Sequence, residues 1–175
     1  MTSTLKKNSL EGLAIVARTE INTPLGPMTA LAPEAGLAVL WFDAQERFGL
    51  PHGEAIKPKH AHLVATKRWL DAYWAGAPTP DAELTLDLHG SPFQQAVWRQ
   101  LRAIAHGRTK SYGEVAKAVG HGAVPRATGT ACGRNPVGVI VPCHRVVGAN
   151  GSLTGFSAGL ERKEKLLQHE GVLLL

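Results

Sequence analysis

The chain has 175 residues, of which 44% are apolar and 19% are charged, a composition that excludes disordered and fibrous proteins. Its longest apolar stretches fall far short of the roughly 18 residues that a membrane-spanning helix needs. No apolar segment of the roughly 7 to 15 residues that a secretory leader needs follows Lys6 and Lys7, so such a leader is not predicted. We therefore expect a cytoplasmic protein whose two cysteines, Cys132 and Cys143, are reduced.

The positive charge is concentrated in the second half of the chain. Residues 1–90 hold 8 Lys and Arg against 10 Asp and Glu, a net charge of −2, whereas residues 91–175 hold 11 against 4, a net charge of +7. A basic half indicates a surface that binds a polyanion, most often nucleic acid. A solvated basic surface without a partner has the same composition, so charge alone leaves both interpretations open.

The first half has the pattern of a small α/β domain. Three apolar stretches separated by turn residues are predicted strands: 13–19, 27–32 and 36–42. Helical spacing of apolar residues predicts a helix over 60–73, and a further strand is predicted over 85–88. Glycines and prolines within 76–92 mark the expected connection between two domains.

The second half is predicted to be mainly helical. An apolar stripe over 92–107 predicts the first helix. Ser111 and Glu114 have the Ser-x-x-Glu spacing of a capping box, which predicts a second helix that ends near Gly120. Pro125 is placed to be the first residue of a third helix. The last two helices, joined by a tight turn, form a helix-turn-helix pattern.

The third of these helices carries almost no side-chain bulk. Its small residues follow Arg126 and are Ala127, Gly129, Thr130, Ala131 and Gly133. Such a helix packs closely inside a protein, and it can equally approach another surface closely. Arg126 favours the second interpretation, because a long cation on a thin helix can reach into a DNA duplex.

The most specific local pattern is Pro142-Cys143-His144-Arg145, which follows an apolar run. Neighbouring cations lower a thiol pKa from about 8.5, so Cys143 is a candidate nucleophile, with His144 as its base and Glu170 as the acid that orients the base. A buried packing residue is the alternative. Adjacent side chains of a regular strand point to opposite faces, so either the chain bends at Cys143 or a water carries the proton.

The remaining thiol and the histidines carry weaker signals. Cys132 lies among small residues with no adjacent acid or base, which predicts a packing residue. The eight histidines are scattered, so no metal site is predicted.

The sequence Pro142–Val146 resembles the active-site signature of the O6-alkylguanine-DNA alkyltransferases, also called methylated-DNA–protein-cysteine methyltransferases. The similarity covers residues 91–175, and the first half fits only through the turn at 23–27. The other matching motifs are Ser91-Pro92-Phe93, Val97-Trp98, Ser111-Tyr112-Gly113, Arg126-Ala127, Asn135-Pro136, Gly155-Phe156-Ser157 and His169-Glu170-Gly171.

This resemblance implies an α/β ribonuclease-H-like domain over 1–88 and a mainly α winged helix-turn-helix domain over 89–175, which holds the active site and binds DNA. It implies DNA repair by direct, irreversible transfer of the alkyl group from O6-alkylguanine, and also from O4-alkylthymine, to Cys143. Each molecule is expected to act once, without cofactor or metal, because a thioether has no leaving group that water readily displaces.

The resemblance also implies a role for each residue of the site. His144 deprotonates Cys143 through a water, Glu170 orients His144, and Asn135 holds the turn that brings the helix to the active site. Arg126 resembles the family's arginine finger, which fills the gap left by the extruded nucleotide, and Tyr112 resembles the residue that crowds the 3′ phosphate. The other implied contacts to DNA or to the extruded base are Ala127, Gly129, Thr130, Val146 and Ser157.

The implied partner is double-stranded DNA, entered through its minor groove by a monomer, with cooperative binding along the DNA left open. Three positions depart from the family pattern: Gly138 replaces a proline, Phe156 a tyrosine and Ala158 a glycine. With these departures the sequence does not determine the width of the pocket, but none of them removes a catalytic atom. Two other classes remain: a non-catalytic winged-helix DNA-binding protein with a buried Cys143, and a cysteine hydrolase or thiol redox sensor.

Overall fold

The computed structural model describes residues 10–50, 52–120 and 122–172. The chain divides into a compact unit that ends at His89 and a second that begins at Gly90. Residues 1–9, over which no secretory leader is predicted, lie outside the described residues, as does His121. None of the described helices combines the length and the hydropathy that crossing a membrane requires.

The first unit is built on a three-stranded antiparallel sheet. Its strands are β1 (Ala17–Ile21), β2 (Met28–Ala32) and β3 (Val39–Phe42), and they pair in sequence order. The central strand β2 is buried along its whole length. The strand predicted over 13–19 begins too early, because Ala17 pairs with Ala32, where β2 ends.

Two helices complete the first unit. The predicted helix over 60–73 is confirmed as α2 (Ala61–Trp74), whereas the short α1 (Ala44–Phe48) was not predicted. The strand predicted over 85–88 is wrong. Only Leu37 pairs with this segment. Its backbone N donates to the Thr85 carbonyl at 2.8 Å, and its carbonyl accepts from Asp87 N at 2.9 Å, so an isolated bridge forms instead of a ladder.

The second unit is mainly helical, as predicted. Its helices are α3 (Pro92–Arg102), α4 (Tyr112–Val119), α5 (Pro125–Gly133) and α6 (Leu160–His169). The first three pack against one another. The only described strands of this unit, β4 (Lys110–Ser111) and β5 (Val146–Val147), form a parallel pair of two residues each.

The ends of the helices follow local chemistry. The capping box of α4 is confirmed: Glu114 N donates to Ser111 Oγ at 3.1 Å, and Ser111 N donates to Glu114 Oε2 at 2.7 Å. The same box, with glutamine in place of glutamate, begins α3 at Ser91. The prediction that α3 reaches 107 is wrong, because after Arg102 the backbone tightens into i to i+3 bonds and leaves the helix.

A buried tryptophan fixes α5 against α3. Trp98 is 1% exposed, and its indole Nε1 donates to the Ala131 carbonyl at 2.9 Å. A buried indole N–H needs such a partner, and the small residues of α5 let the ring approach the backbone. The helix predicted to touch DNA is therefore held rigidly by the core of its own unit.

The capping box makes a prediction about stability. The Ser111→Ala substitution leaves Glu114 N without its side-chain acceptor, so the free energy of unfolding should fall by about 1 kcal/mol. Urea unfolding followed by circular dichroism measures this loss. The neighbouring exposed Thr109→Ala removes a hydroxyl outside the box, and an equal loss in both variants would contradict the capping role.

Candidate active site

Cys143, His144 and Arg145 form a single turn of 3-10 helix, and all three residues are buried. Pro142 stands at its start with φ −83° and ψ 64°. Side chains of a 3-10 turn are spaced three to a turn rather than alternating, so Cys143 and His144 do not point to opposite faces. The structure thus contains the bend, which is one of the two alternatives that the sequence left open.

Asn135 holds the thiol and the chain in front of it. Its Nδ2 donates to Cys143 Sγ at 3.2 Å and to the Val141 carbonyl at 2.8 Å. Its Oδ1 accepts from Val137 N at 3.0 Å. Asn135 is completely buried, so each of these bonds is made away from water. The side chain ties both ends of the segment between α5 and the active-site turn.

The Glu170 carboxylate, just beyond the end of α6, collects donors from two other segments. His144 Nε2 lies 2.7 Å from Oε1. Arg145 donates through Nε to Oε2 at 2.8 Å and through Nη2 to Oε1 at 2.9 Å, while its Nη1 donates to the Ile104 carbonyl at 2.7 Å. Gly107 N adds a long bond of 3.5 Å to Oε2. The pairing of His144 with Glu170 inferred from the sequence is present.

The pKa values of this cluster are set by burial and by these bonds. Burial raises the pKa of Glu170, but the hydrogen bonds and charges of His144 and Arg145 outweigh it and hold that pKa well below its usual range. Burial lowers the pKa of His144 below its ordinary 6.5, and the charges of Arg145 and Lys163 add to this effect, against the opposing pull of Glu170. At neutral pH the carboxylate is ionised and the imidazole is neutral.

These protonation states fix the tautomer of His144. An ionised carboxylate only accepts hydrogen bonds, so Nε2 carries the imidazole proton towards Glu170. Nδ1 then holds a lone pair that can accept a proton. It is buried and has no hydrogen-bond partner among the described residues. The site therefore holds a neutral base beside the candidate nucleophile.

A cavity of about 280 Å³ opens onto Cys143. Three of its lining residues are glycines, which have no side chain and so leave room for a planar ligand. The lining residues are Tyr112, Gly129, Cys132, Gly133, Cys143, Gly155, Phe156 and Ser157. The cavity thus brings together four of the residues predicted from the sequence, Tyr112, Gly129, Cys143 and Ser157, from separate parts of the second unit.

Cys132 is a cavity-lining residue as well as the packing residue that the sequence predicts. It is 5% exposed, on the inner face of α5. Burial, together with the charge of Cys143, raises the pKa of the Cys132 thiol to about 12. This thiol is protonated at neutral pH, which separates it chemically from a nucleophile.

The outer face of α5 carries the residues predicted to touch DNA. Arg126, Ala127 and Thr130 are exposed, and Thr130 Oγ1 donates back to the Arg126 carbonyl at 3.2 Å. Val124, just before the helix, is 53% exposed. None of these four lines the described cavity, so they form a separate, outward surface on the helix that supplies one cavity wall.

Lys163 is a site residue that the sequence analysis missed. It is completely buried, and its Nζ donates to the carbonyls of Val146 at 2.6 Å, Thr154 at 3.0 Å and Gly155 at 3.3 Å. Tyr112 OH shares the Thr154 acceptor, at 3.0 Å. The signal was the helical spacing: Lys163 falls on the same side of α6 as the buried Leu166 and Leu167.

The other predicted positions have these surroundings. Val146 is buried beside the turn, and Ser157 Oγ donates to the Gly133 carbonyl at 3.0 Å. Of the three departures from the family pattern, Phe156 lines the cavity, whereas Gly138 and Ala158 do not. No group of three or more His, Cys, Asp or Glu side chains suited to a metal ion occurs within the described part of the chain.

Comparisons with known proteins identify the family. Residues 92–172 match the family described as 6-O-methylguanine DNA methyltransferase, DNA binding domain. A methylated-DNA–protein-cysteine methyltransferase of Methanosarcina acetivorans is 39% identical over 150 residues, which cover 85% of this chain and 94% of the relative. A relative of the same name from Shigella flexneri is 40% identical over 164 residues, which cover 89% of this chain and 96% of the relative.

The chain belongs to the methylated-DNA–protein-cysteine methyltransferase family. Solved structures agree: the crystal structure of Mycobacterium tuberculosis OGT in complex with DNA has a TM-score of 0.71 and 39% identity over 86% of this chain and 90% of that chain. An O6-methylguanine DNA methyltransferase from Methanococcus jannaschii has a TM-score of 0.66 and 30% identity over 90% and 95%. The resemblance of Pro142–Val146 to this methyltransferase family is thus confirmed.

The buried cluster makes the stability of this methyltransferase family member depend on pH. The folded protein lowers the pKa of both Glu170 and His144, so the unfolded chain binds more protons. The free energy of unfolding should therefore fall as the pH drops below about 6.5, where histidine in the unfolded chain takes up a proton and becomes charged, and fall further below about 4.3, where glutamate in the unfolded chain takes up a proton and becomes neutral. Urea unfolding at a series of pH values measures this decline.

The Glu170→Gln substitution isolates the carboxylate. It leaves Arg145 buried without its counter-charge, so the loss at pH 7 should be about 3 to 5 kcal/mol, and the decline below pH 5 should become shallower. Glu161→Gln, in an exposed pair with Lys165 at 2.8 Å, is the matched control. Lys165 also lowers the pKa of Glu161, but solvent screens this exposed pair, so the control should change the pH dependence far less than Glu170→Gln does. An unchanged slope in Glu170→Gln would contradict the assignment.

Proposed function

We propose that this protein repairs DNA by transferring the alkyl group of O6-alkylguanine to its own Cys143. The observation that carries this proposal is the cavity that Cys143 lines, with His144, buried and paired with Glu170, next to it in the chain. Family membership supports it, since the relatives are named methylated-DNA–protein-cysteine methyltransferases.

The proposed reaction begins with a proton transfer. The proton of Cys143 Sγ passes through a water to His144 Nδ1, whose lone pair is available because Nε2 donates to Glu170. The thiolate electron pair then forms a bond to the alkyl carbon. The bond between that carbon and O6 breaks, its electron pair goes to guanine, and the guanine anion takes a proton from water, while His144 returns the proton of Cys143 to the solvent. Asn135 Nδ2, at 3.2 Å from Sγ, stabilises the charged sulfur.

The product explains why one molecule acts once. Cys143 becomes a thioether, in which neither carbon carries a leaving group that water readily displaces. The protein is then both catalyst and acceptor, and the proposed reaction uses no cofactor or metal. O4-alkylthymine presents an alkyl carbon on an equivalent exocyclic oxygen, so we include it as a second substrate.

The base has to leave the duplex to reach the cavity, because Cys143 is only 6% exposed and an intact duplex cannot bring the alkyl carbon to its sulfur. Extrusion costs a few kcal/mol. We propose that α5 lies in the minor groove of double-stranded DNA and that exposed Arg126 fills the gap left by the base. Ala127, Gly129 and Thr130 have little or no side-chain bulk and allow the close approach. The complex of a relative with DNA supports DNA as the partner. We propose a monomer in the cytoplasm, with a ribonuclease-H-like first domain and a winged helix-turn-helix second domain.

Cavity residues have proposed roles towards the extruded base. Burial raises the pKa of Tyr112, so its hydroxyl is a proton donor at neutral pH and can exchange the Thr154 carbonyl for the base or its 3′ phosphate. The Val146 carbonyl accepts from Lys163 and keeps a second lone pair for a base amino group. Ser157, at the rim, offers a hydroxyl, and Phe156 offers a ring for stacking.

The two other classes fit the site less well. A purely DNA-binding regulator has no need of a thiol that faces a cavity or of a neutral base beside it. A hydrolase needs a second step in which water releases the acyl group. A multiple-turnover assay on ester and amide substrates separates the hydrolase from the proposal, since the proposal expects none.

The first test is the stoichiometry of transfer. Protein incubated with a duplex that contains labelled O6-methylguanine should acquire one methyl group per molecule, located on Cys143 by peptide mass spectrometry. Cys143→Ser should bind the same duplex but acquire no label, because an alcohol is far less acidic than a thiol. Cys132→Ser is the matched cysteine variant and should still carry the label on Cys143. Label on Cys143→Ser would refute the assignment.

The second test separates extrusion from chemistry. Arg126→Ala should slow transfer from the duplex by about tenfold to a hundredfold, corresponding to part of the few kcal/mol that extrusion costs. Transfer from free O6-methylguanine base should be unaffected, since no base has to be extruded. Single-turnover kinetics on the two substrates measure this split, with Arg102→Ala as the control. Equal slowing on both substrates would count against an arginine finger.

A further inference from the structure

The Glu170 carboxylate binds two side chains at once, the neutral imidazole of His144 and the cationic guanidinium of Arg145. Its Oε1 is shared between His144 Nε2 at 2.7 Å and Arg145 Nη2 at 2.9 Å, and its Oε2 accepts from Arg145 Nε at 2.8 Å. The guanidinium fork is planar and rigid, so two bonds to one carboxylate fix its plane as well as its position. Arg145 is itself held by the Ile104 carbonyl at 2.7 Å. Arg145 thus sets the orientation of Glu170, and through it that of His144, although Arg145 lies outside the proposed proton path.

We propose that Arg145 is a positioning residue for alkyl transfer: it clamps Glu170 so that His144 keeps its proton on Nε2 and presents Nδ1 as a neutral proton acceptor. This inference rests on the proposed function. It gives a supporting role to Arg145, whose guanidinium binds Glu170 and the Ile104 carbonyl rather than the thiol or the alkylated guanine. Arg145 does two things at once. Its fork fixes the orientation of the carboxylate, and its charge neutralises part of the carboxylate charge that His144 faces.

The second effect determines when His144 can accept a proton. The charged groups that act on His144 are Glu170, Arg145 and Lys163. Glu170 favours the imidazolium form, whereas Arg145 and Lys163 disfavour it. Without the Arg145 charge, the full carboxylate charge would act on His144, and the imidazole would hold a proton at higher pH. A histidine that is already protonated cannot take the proton of Cys143, so transfer would require a higher pH.

Two substitutions separate charge from geometry. Arg145→Gln removes the charge, whereas Arg145→Lys keeps the charge but loses the planar fork. Arg68, whose Nη1 lies 3.2 Å from Glu83 Oε2 at an exposed position in the first unit, provides the matched controls Arg68→Gln and Arg68→Lys. Two readouts are used on the full chain: the pH profile of single-turnover methyl transfer, and the ¹⁵N chemical shifts of His144, which distinguish a protonated ring nitrogen from a bare one.

For Arg145→Gln we expect the acidic limb of the pH profile to move to higher pH, with transfer at pH 7 slowed roughly tenfold and recovered in more alkaline buffer. The ¹⁵N titration of His144 should move in the same direction. For Arg145→Lys we expect an acidic limb like that of the unmodified chain, slower transfer at every pH by roughly threefold to tenfold, and a mixture of the two His144 tautomers. Both Arg68 variants should match the unmodified chain.

A folded Arg145→Gln with an unshifted limb and an unshifted His144 titration overturns the inference, because a merely structural arginine predicts uniform slowing. If Arg145→Gln does not fold, Arg145→Lys decides: a rate and a His144 tautomer equal to those of the unmodified chain overturn the clamp. The ¹⁵N readout needs no substrate. An unmodified chain that transfers no methyl group therefore rejects the proposed function, while the state of His144 still tests the action of Arg145.

Discussion

A single buried negative charge, on Glu170, organises the second unit. A carboxylate removed from water is unfavourable unless it is paired and hydrogen-bonded, and the chain supplies donors from the active-site turn and from the segment that follows α3. The β5 pairing next to the turn is only two residues long, too short to position it alone. The turn that carries Cys143 is therefore fixed mainly by electrostatics and hydrogen bonding.

Asn135 provides the second anchor of the same turn, from the opposite side. It binds the Val141 carbonyl and Cys143 Sγ with one amide group, so the bonds that shape the chain are also bonds to the reacting atom. A change that loosens the segment between α5 and the turn necessarily changes the surroundings of the sulfur. Fold and reactivity share the same few buried polar groups, which explains why so much of the site is polar and yet buried.

Features set by neighbouring residues could mostly be predicted from the sequence, whereas features set by distant residues mostly could not. The exception is the His144–Glu170 pairing, which the chemistry of a cysteine nucleophile suggested. The capping box at Ser111 and the start of α5 at Pro125 depend on a few adjacent residues and were predicted correctly. The strand expected over 85–88 failed because a strand needs a partner, and only Leu37 pairs there. Lys163 and the cavity position of Cys132 depend on which elements meet around Cys143. Within the site, the motif predicted the residue types, while tertiary packing determined their distances.

The small residues of α5 permitted two interpretations from the sequence, close packing within the protein or close approach to another surface, and the structure contains the basis of both. Thr128, Ala131 and Cys132 face inward, where Trp98 reaches the backbone and the cavity begins, while Arg126 and Thr130 face solvent. One thin helix thus separates an outer surface from the cavity that holds the thiol. A ligand that engages both must have a part that stays outside α5 and a flat part that passes around it. A duplex with one extruded base has this shape, whereas a free small molecule would use the cavity alone.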